Sequence, residues 1–487
     1  MVDRLAQHTS ERIKVFDVIA TIPPQHTPAV HRRSPKSFAA QRDVITAKIR
    51  IANNCEHSQT SVCSHSPRRW RRVPDLHEPL PEATLVLSKA SQGGSAALSS
   101  GRWSMTVPLA RLRDAGVAVR LDAIGRGSLG RFAGTHQVQG ARTNPVVLKA
   151  AVESSALYDR EIAELALTGV GIGDAMRSLT ACDARWACDV LRPVFDATGG
   201  VDGWVSIEID PRLAHDEARM LAEARTLWRL VDRPNLLTQV PATEAGLRAA
   251  SACLAEGICV DVTWIFSPGA YARVRDAFLT GLERAVRNGR GPARIASLAS
   301  YEVAPVDTAV DARLDQLGTS RARHLLGDAA IAGARLAYQG FERMLAGPRW
   351  KALEQAGARP QRLAWTSTSI EDPAYEDTRY VEGLVAPDTV CTMSQALLYA
   401  VADHGLVPQD SVHGRYPAAR EVLDELDSVA VDHGAVTRTL QRRALSEAGA
   451  RWASLAELVG TLMNGQVARH SAGTPTRVGT ATGESSV

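Results

Sequence analysis

The sequence predicts an α/β protein whose folded part is a single closed (β/α)8 barrel. Short apolar runs with strand character alternate with longer stretches periodic at helical spacing. The alternation continues through one unit of about 350 residues, a size that suits one barrel. No GxGxxG or GxxxxGK[ST] opens a helix after a strand, so an open nucleotide-binding sheet has no support and no cofactor is expected. The barrel is assigned to residues 105–467, between an extension at 1–104 and a tail at 468–487.

The extension lacks sustained periodicity and is punctuated by Pro23-Pro24, Pro28, Pro35, Pro67, Pro74, Pro79 and Pro81. Its end, Ser91-Gln92-Gly93-Gly94-Ser95, reads as linker, and the whole segment is expected to be disordered. Cys55, His57, Cys63 and His65 form two Cys-x-His pairs, but structural zinc sites draw on wider spacings, so no metal is expected. From residue 105 the pattern changes. Strands are read at 117–122, 205–210, 236–240, 259–266, 294–300, 363–367 and 389–393, with helices such as 216–231 and 272–288 between them. In the third of these runs, Thr238-Gln239-Val240-Pro241-Ala242-Thr243-Glu244, a buried strand turns into a helix. The tail is rich in Gly, Thr and Ser and is expected to be unstructured.

Of the 487 residues, 45% are hydrophobic and 22% charged, as in a soluble globular protein. Residues 1–104 hold 15 Lys/Arg against 8 Asp/Glu and the remainder 41 against 45, so the basic excess belongs to the extension. Nothing basic in the barrel suggests nucleic acid, and no apolar run is long enough to span a membrane. The N-terminus opens no signal peptide and seven scattered cysteines form no disulfide framework, so a cytoplasmic location is expected.

Several ordered segments resemble the transaldolase family, most closely its actinobacterial branch, over residues from about 109 to 465. They are Gly140-Ala141-Arg142-Thr143-Asn144-Pro145, Ser206-Ile207-Glu208-Ile209-Asp210-Pro211, Pro241-Ala242-Thr243-Glu244-Ala245-Gly246, Asp261-Val262-Thr263-Trp264-Ile265-Phe266-Ser267 and Trp365-Thr366-Ser367-Thr368. The resemblance implies a barrel of the class I aldolase type, with chemistry at the C-terminal ends of the strands. Asp122 then resembles the family's acid/base aspartate, a task that suits a carboxylate. Glu208 and Thr263 resemble the pair that positions the catalytic water. Asn144 and Ser300 resemble residues that bind substrate hydroxyls, although a turn-forming Asn before Pro145 accounts for the former equally well. Asp122 could instead cap a helix, and Glu208 could be a buried partner of an arginine.

The departures from the family pattern carry as much information. Gln239 stands where the resemblance places the lysine that forms a Schiff base with a ketose. An amide nitrogen has its lone pair delocalised and cannot condense with a carbonyl. The barrel segment holds only two lysines, Lys149 and Lys351, each read as a solvated helix residue, with Lys149 near the barrel rim. Asp261 replaces an Asn and is expected to add a carboxylate to the barrel mouth as a further acid/base group. Ala304 and Pro305 take the place of a Ser-Arg pair whose arginine binds the sugar phosphate, and Glu371 and Asp328 take the places of lysines. Each lost charge-assisted contact forfeits about 1.5–3 kcal/mol. The expected partner is therefore a small sugar-like or carbonyl metabolite without phosphate, transformed by Asp122, Glu208 and Asp261. The alternatives are a non-catalytic relative that partners an active homologue, and a working transaldolase that uses another amine.

Overall fold

The computed structural model describes residues 107–126, 129–134 and 138–473. The extension, with its two Cys-x-His pairs, and the last residues of the tail lie outside the described residues. Eight strands follow one another in chain order: β1 (Val117–Leu121), β2 (Gly140–Arg142), β3 (Trp204–Glu208), β4 (Leu236–Pro241), β5 (Val260–Ile265), β6 (Ser297–Glu302), β7 (Arg362–Thr366) and β8 (Thr389–Met393). Each pairs in parallel with the next, and β8 returns to β1 through Val117↔Thr389 to Leu121↔Met393, which closes the barrel. The expected (β/α)8 architecture is thus the observed one.

Several strand bounds shift, and β2 is not among the strands read from the sequence. The run expected at 294–300 starts later, because Pro292–Arg294 forms a 3-10 turn, and β6 extends to Glu302. The three-residue β2 is too short to show any periodicity.

The connections explain why the helices begin where they do. Asn144, Asp216, Thr243, Ser267 and Ser394 each accept a backbone N–H of the following first turn, satisfying a donor that the helix itself cannot. Pro145 and Pro268 sit in the first turn, where the missing N–H costs nothing. Gly246 lets its helix close on the end of β4: a Cβ there would lie 1.9 Å from the Pro241 carbonyl oxygen.

Strand residues alternate between two environments. Val119, Leu121, Ile207, Val240 and Val262 face outward and pack with the surrounding helices in the main apolar core. Ala118, Trp204, Leu237, Cys259, Leu298, Ala364 and Val390 face inward and form a separate apolar cluster that fills the barrel floor. Above this floor the interior turns polar. The last helix, His433–Gly473, runs past the boundary expected at 467. Gln441 on it donates to the Ala242 and Trp264 carbonyls at 3.1 and 3.2 Å, and Ser454 accepts from Lys149 at 2.8 Å. This helix therefore crosses the C-terminal ends of the strands from β5 to the side of β2. Among the described residues no helix is long and apolar enough to cross a membrane.

Candidate functional site

Counting two residues up each strand from the apolar floor gives the inward side chains Arg120, Ser206, Gln239, Asp261 and Ser300. Asp261 is fully buried and accepts from Arg120 Nη1 at 2.8 Å, Ser206 Oγ at 2.7 Å and Ser300 Oγ at 2.6 Å. Arg120 reaches it by donating also to Thr392 Oγ1 at 3.0 Å and to Ser300 Oγ at 3.2 Å. Gly140 makes room for this arginine, since a Cβ there would stand 3.2 Å from Arg120 Cγ. Burial pushes the Asp261 carboxyl up, but Arg120 and the two serines outweigh it and hold the group below its ordinary range. Asp261 was expected at the mouth; it lies one layer deeper, with both oxygens occupied.

The mouth itself is the next layer. Asp122 follows β1 and accepts from Arg142 Nε on β2; it caps no helix. Arg142 also feels Glu302 and Asp261: burial works against its charge, and these carboxylates more than compensate. Glu302 accepts from Ser367 Oγ at 2.6 Å, and burial raises its pKa despite the opposing effect of Arg142. Glu208 ends β3; among the described residues its carboxylate makes no hydrogen bond, and its backbone N–H donates to Thr143 Oγ1 at 2.8 Å. Burial pushes its carboxyl up to about 7, against the lowering effects of Arg142 and Arg451. Asn144 divides its amide between capping the following helix and a 3.5 Å contact to the Asp122 carbonyl. Thr263 is buried at the end of β5 beside Pro241.

Two strand ends at this mouth carry unusual backbone. The β5–β6 register shifts between Val262 and Ile265, and Trp264 within that bulge has φ 58°. Ser367, immediately after β7, has φ 51°. Left-handed backbone at a bulky non-glycine residue is rare and collects at functional strand ends.

The positions expected to have lost phosphate contacts are also clear. Pro305 lies in the first turn of the helix Ala304–Leu317, and Thr308 on that helix donates to Glu371 at 3.2 Å. A protein carboxylate thus sits beside the N-terminal end of a helix, a place that favours anions. Asp328 accepts from Arg379 at 3.3 Å. Lys149 lies on the helix Pro145–Ser154, held by Ser454 and 3.7 Å from Glu153. Lys351 is exposed and paired with Glu354 at 2.9 Å.

Residues 119–459 match the family described as Transaldolase/Fructose-6-phosphate aldolase. The chain belongs to that family. It is 50% identical over 360 residues to a transaldolase of Acidothermus cellulolyticus, covering 73% of this chain and 96% of the relative. A transaldolase of Thermobifida fusca is also 50% identical over 360 residues, covering 73% and 98%. Transaldolase 1 of Streptomyces avermitilis is 46% identical over 363 residues, covering 74% and 96%. Relative to the residues that the transaldolase resemblance pointed to, the structure adds Arg120, Arg142, Ser206 and Glu302. For two of them a signal was present in the sequence: Arg120 lies two residues before Asp122, and Glu302 two residues after Ser300, so each pair shares one strand face.

Proposed function

We propose that this transaldolase-family barrel does not carry out dihydroxyacetone transfer through a Schiff base, and that it binds or transforms an unphosphorylated carbonyl or polyol metabolite by acid/base chemistry. The observation that carries the reading is the buried Gln239 at the place where the resemblance puts the amine. Its neighbours across the sheet are Glu208 and Asp261, and neither barrel lysine is a substitute amine, since Lys149 and Lys351 are engaged on helices.

The roles then follow from the geometry. Asp122, held by Arg142, and Glu208, whose carboxyl titrates near neutrality, are the proton-transfer pair at the mouth. Thr263 and Asn144 line the same strand ends and contact substrate. Asp261 and Ser300 act from below, by fixing Arg120 and the shape of the pocket. The seated Glu371 and the helix-starting Pro305 support the preference against phosphate.

The high identity to relatives named transaldolase favours the opposite reading, retained dihydroxyacetone transfer by another amine. A thermal-shift screen of phosphorylated and unphosphorylated sugars, followed by turnover assays on the hits, separates the two. Stabilisation by unphosphorylated ligands alone supports the proposal, whereas transfer from fructose 6-phosphate overturns it. A ligand that binds without turnover leaves the non-catalytic form of the reading.

A further inference from the structure

We propose that the barrel mouth takes a polyhydroxy carboxylate, with the acid group forked by Arg142 and an adjacent hydroxyl or carbonyl oxygen accepting from Gln239. This rests on the reading of the mouth as a metabolite site and narrows its ligand class.

The argument begins with the hydrogen-bond donors that the protein leaves over. Gln239 is about nineteen-twentieths buried, at 6% relative exposure, yet its Nε2 has no hydrogen-bond partner among the described residues. A buried amide N–H without an acceptor costs about 1–3 kcal/mol, so a ligand oxygen at this point is strongly favoured. Arg142 uses only Nε, on Asp122; no acceptor among the described residues takes its two terminal nitrogens. Those nitrogens form the planar fork that matches a carboxylate in two parallel bonds. Both sets of donors belong to inward positions of neighbouring layers, on β2 and β4.

Charge points the same way. The interior ion pairs are Arg120 with Asp261 and Arg142 with Asp122, one carboxylate to each arginine. The remaining carboxyls, Glu208 and Glu302, are both shifted by burial toward their neutral form, in which each becomes a donor. The mouth therefore offers an excess of donors over acceptors, which an anion with neighbouring oxygens satisfies and an ammonium group does not. A phosphate dianion fits less well, because the Arg142 guanidinium that it would meet is already shared with Asp122 and Arg120 is taken by Asp261.

The test uses three open-chain six-carbon compounds that differ only at C1: D-gluconate, D-glucitol and D-glucamine, titrated calorimetrically into the full chain. Gluconate is expected to bind at least about tenfold more tightly than the other two, and Arg142→Lys to remove most of that advantage while leaving glucitol within about twofold. Gln239→Leu, which keeps the fork, is expected to weaken gluconate and glucitol alike, and it carries the test where Arg142→Lys fails to fold. Glucitol or glucamine binding as tightly as gluconate overturns the inference and leaves the metabolite-site reading standing, as does an Arg142→Lys protein whose gluconate affinity is unchanged. Binding of none of the three overturns both.

Discussion

Arg120 on β1 and Asp261 on β5 form an ion pair of 2.8 Å inside the barrel, with side chains only 1% and 0% exposed. The pair joins strands on different sides of the barrel, and two serines complete the coordination of the carboxylate. Removing one partner strands a buried charge, which costs about 3–5 kcal/mol, whereas replacing both with apolar groups of similar volume is often neutral. Asp261→Asn is therefore expected to lower stability by about 3 kcal/mol in denaturant unfolding, and Arg120→Met combined with Asp261→Leu to recover most of that loss. An Asp261→Asn protein of unchanged stability but abolished turnover would instead assign Asp261 to proton transfer.

Glu208 gives a prediction about pH. Its folded-state pKa is raised to about 7 by burial, with Arg142 and Arg451 lowering it and Asp210 and Asp122 raising it. A raised carboxylate favours folding below its unfolded pKa, near 4.3. That contribution is lost as pH climbs through the folded value. Glu208→Gln, which stays neutral, should thus be more stable than the parent at pH 8 by about 1–2 kcal/mol, after discounting for partial exposure, and indistinguishable from it near pH 4.5. Unfolding midpoints measured across this range check the sign. A Glu208→Gln protein less stable than the parent at pH 8, with the deficit vanishing toward low pH, would mean that Glu208 is held ionised.

Most strands were legible in the sequence because their outward faces are largely apolar and several of the helices that follow open on a side-chain cap, as at Thr243 and Ser267. The strand reading and the family segments likewise placed Asp122 just after β1, Glu208 at the end of β3 and Thr263 on β5. What the sequence hid was depth and partnership. Asp261 and Thr263 share a strand face, but only the closed barrel shows that Asp261 is consumed by Arg120 below the mouth. Arg142 escaped notice because β2 is three residues long and its guanidinium acts on Asp122 and Glu302, which belong to other strands. Such cross-barrel contacts leave no periodic signal.

Phosphate recognition should be weak. Pro305 begins a helix without supplying a cation, and Thr308 holds the Glu371 carboxylate beside that helix. Two missing charge-assisted contacts at about 1.5–3 kcal/mol each amount to about two to four orders of magnitude in affinity. Fructose 6-phosphate is expected to show no saturable heat in calorimetry at concentrations up to the millimolar range, and micromolar binding would remove this argument. Glu371→Lys is the gain-of-function variant: it should improve binding of the phosphorylated sugar while leaving that of unphosphorylated ligands unaltered.

The amine is the last test. Schiff-base formation requires an unprotonated primary amine against the ketose carbonyl, and Gln239 supplies only an amide. Borohydride reduction with fructose 6-phosphate or dihydroxyacetone is therefore expected to leave the protein mass unchanged. A reduced adduct mapped to Lys149 or Lys351 would restore the reading of a working transaldolase, even though those side chains are bonded to Ser454 and Glu354. The converse experiment is Gln239→Lys. The new amine would stand between Glu208 and Asp261 in the sheet register, so any negative charge on Glu208 would hold it protonated. It would also share the barrel with Arg142, whose guanidinium is bound to Asp122 and interacts with Glu302 in the same mouth. Gln239→Lys alone is thus expected to give at most a trace of trapped adduct and of aldol transfer. Full activity from that one substitution would show that Arg142, Pro305 and Glu371 are spectators, and that a single side chain separates this barrel from its relatives.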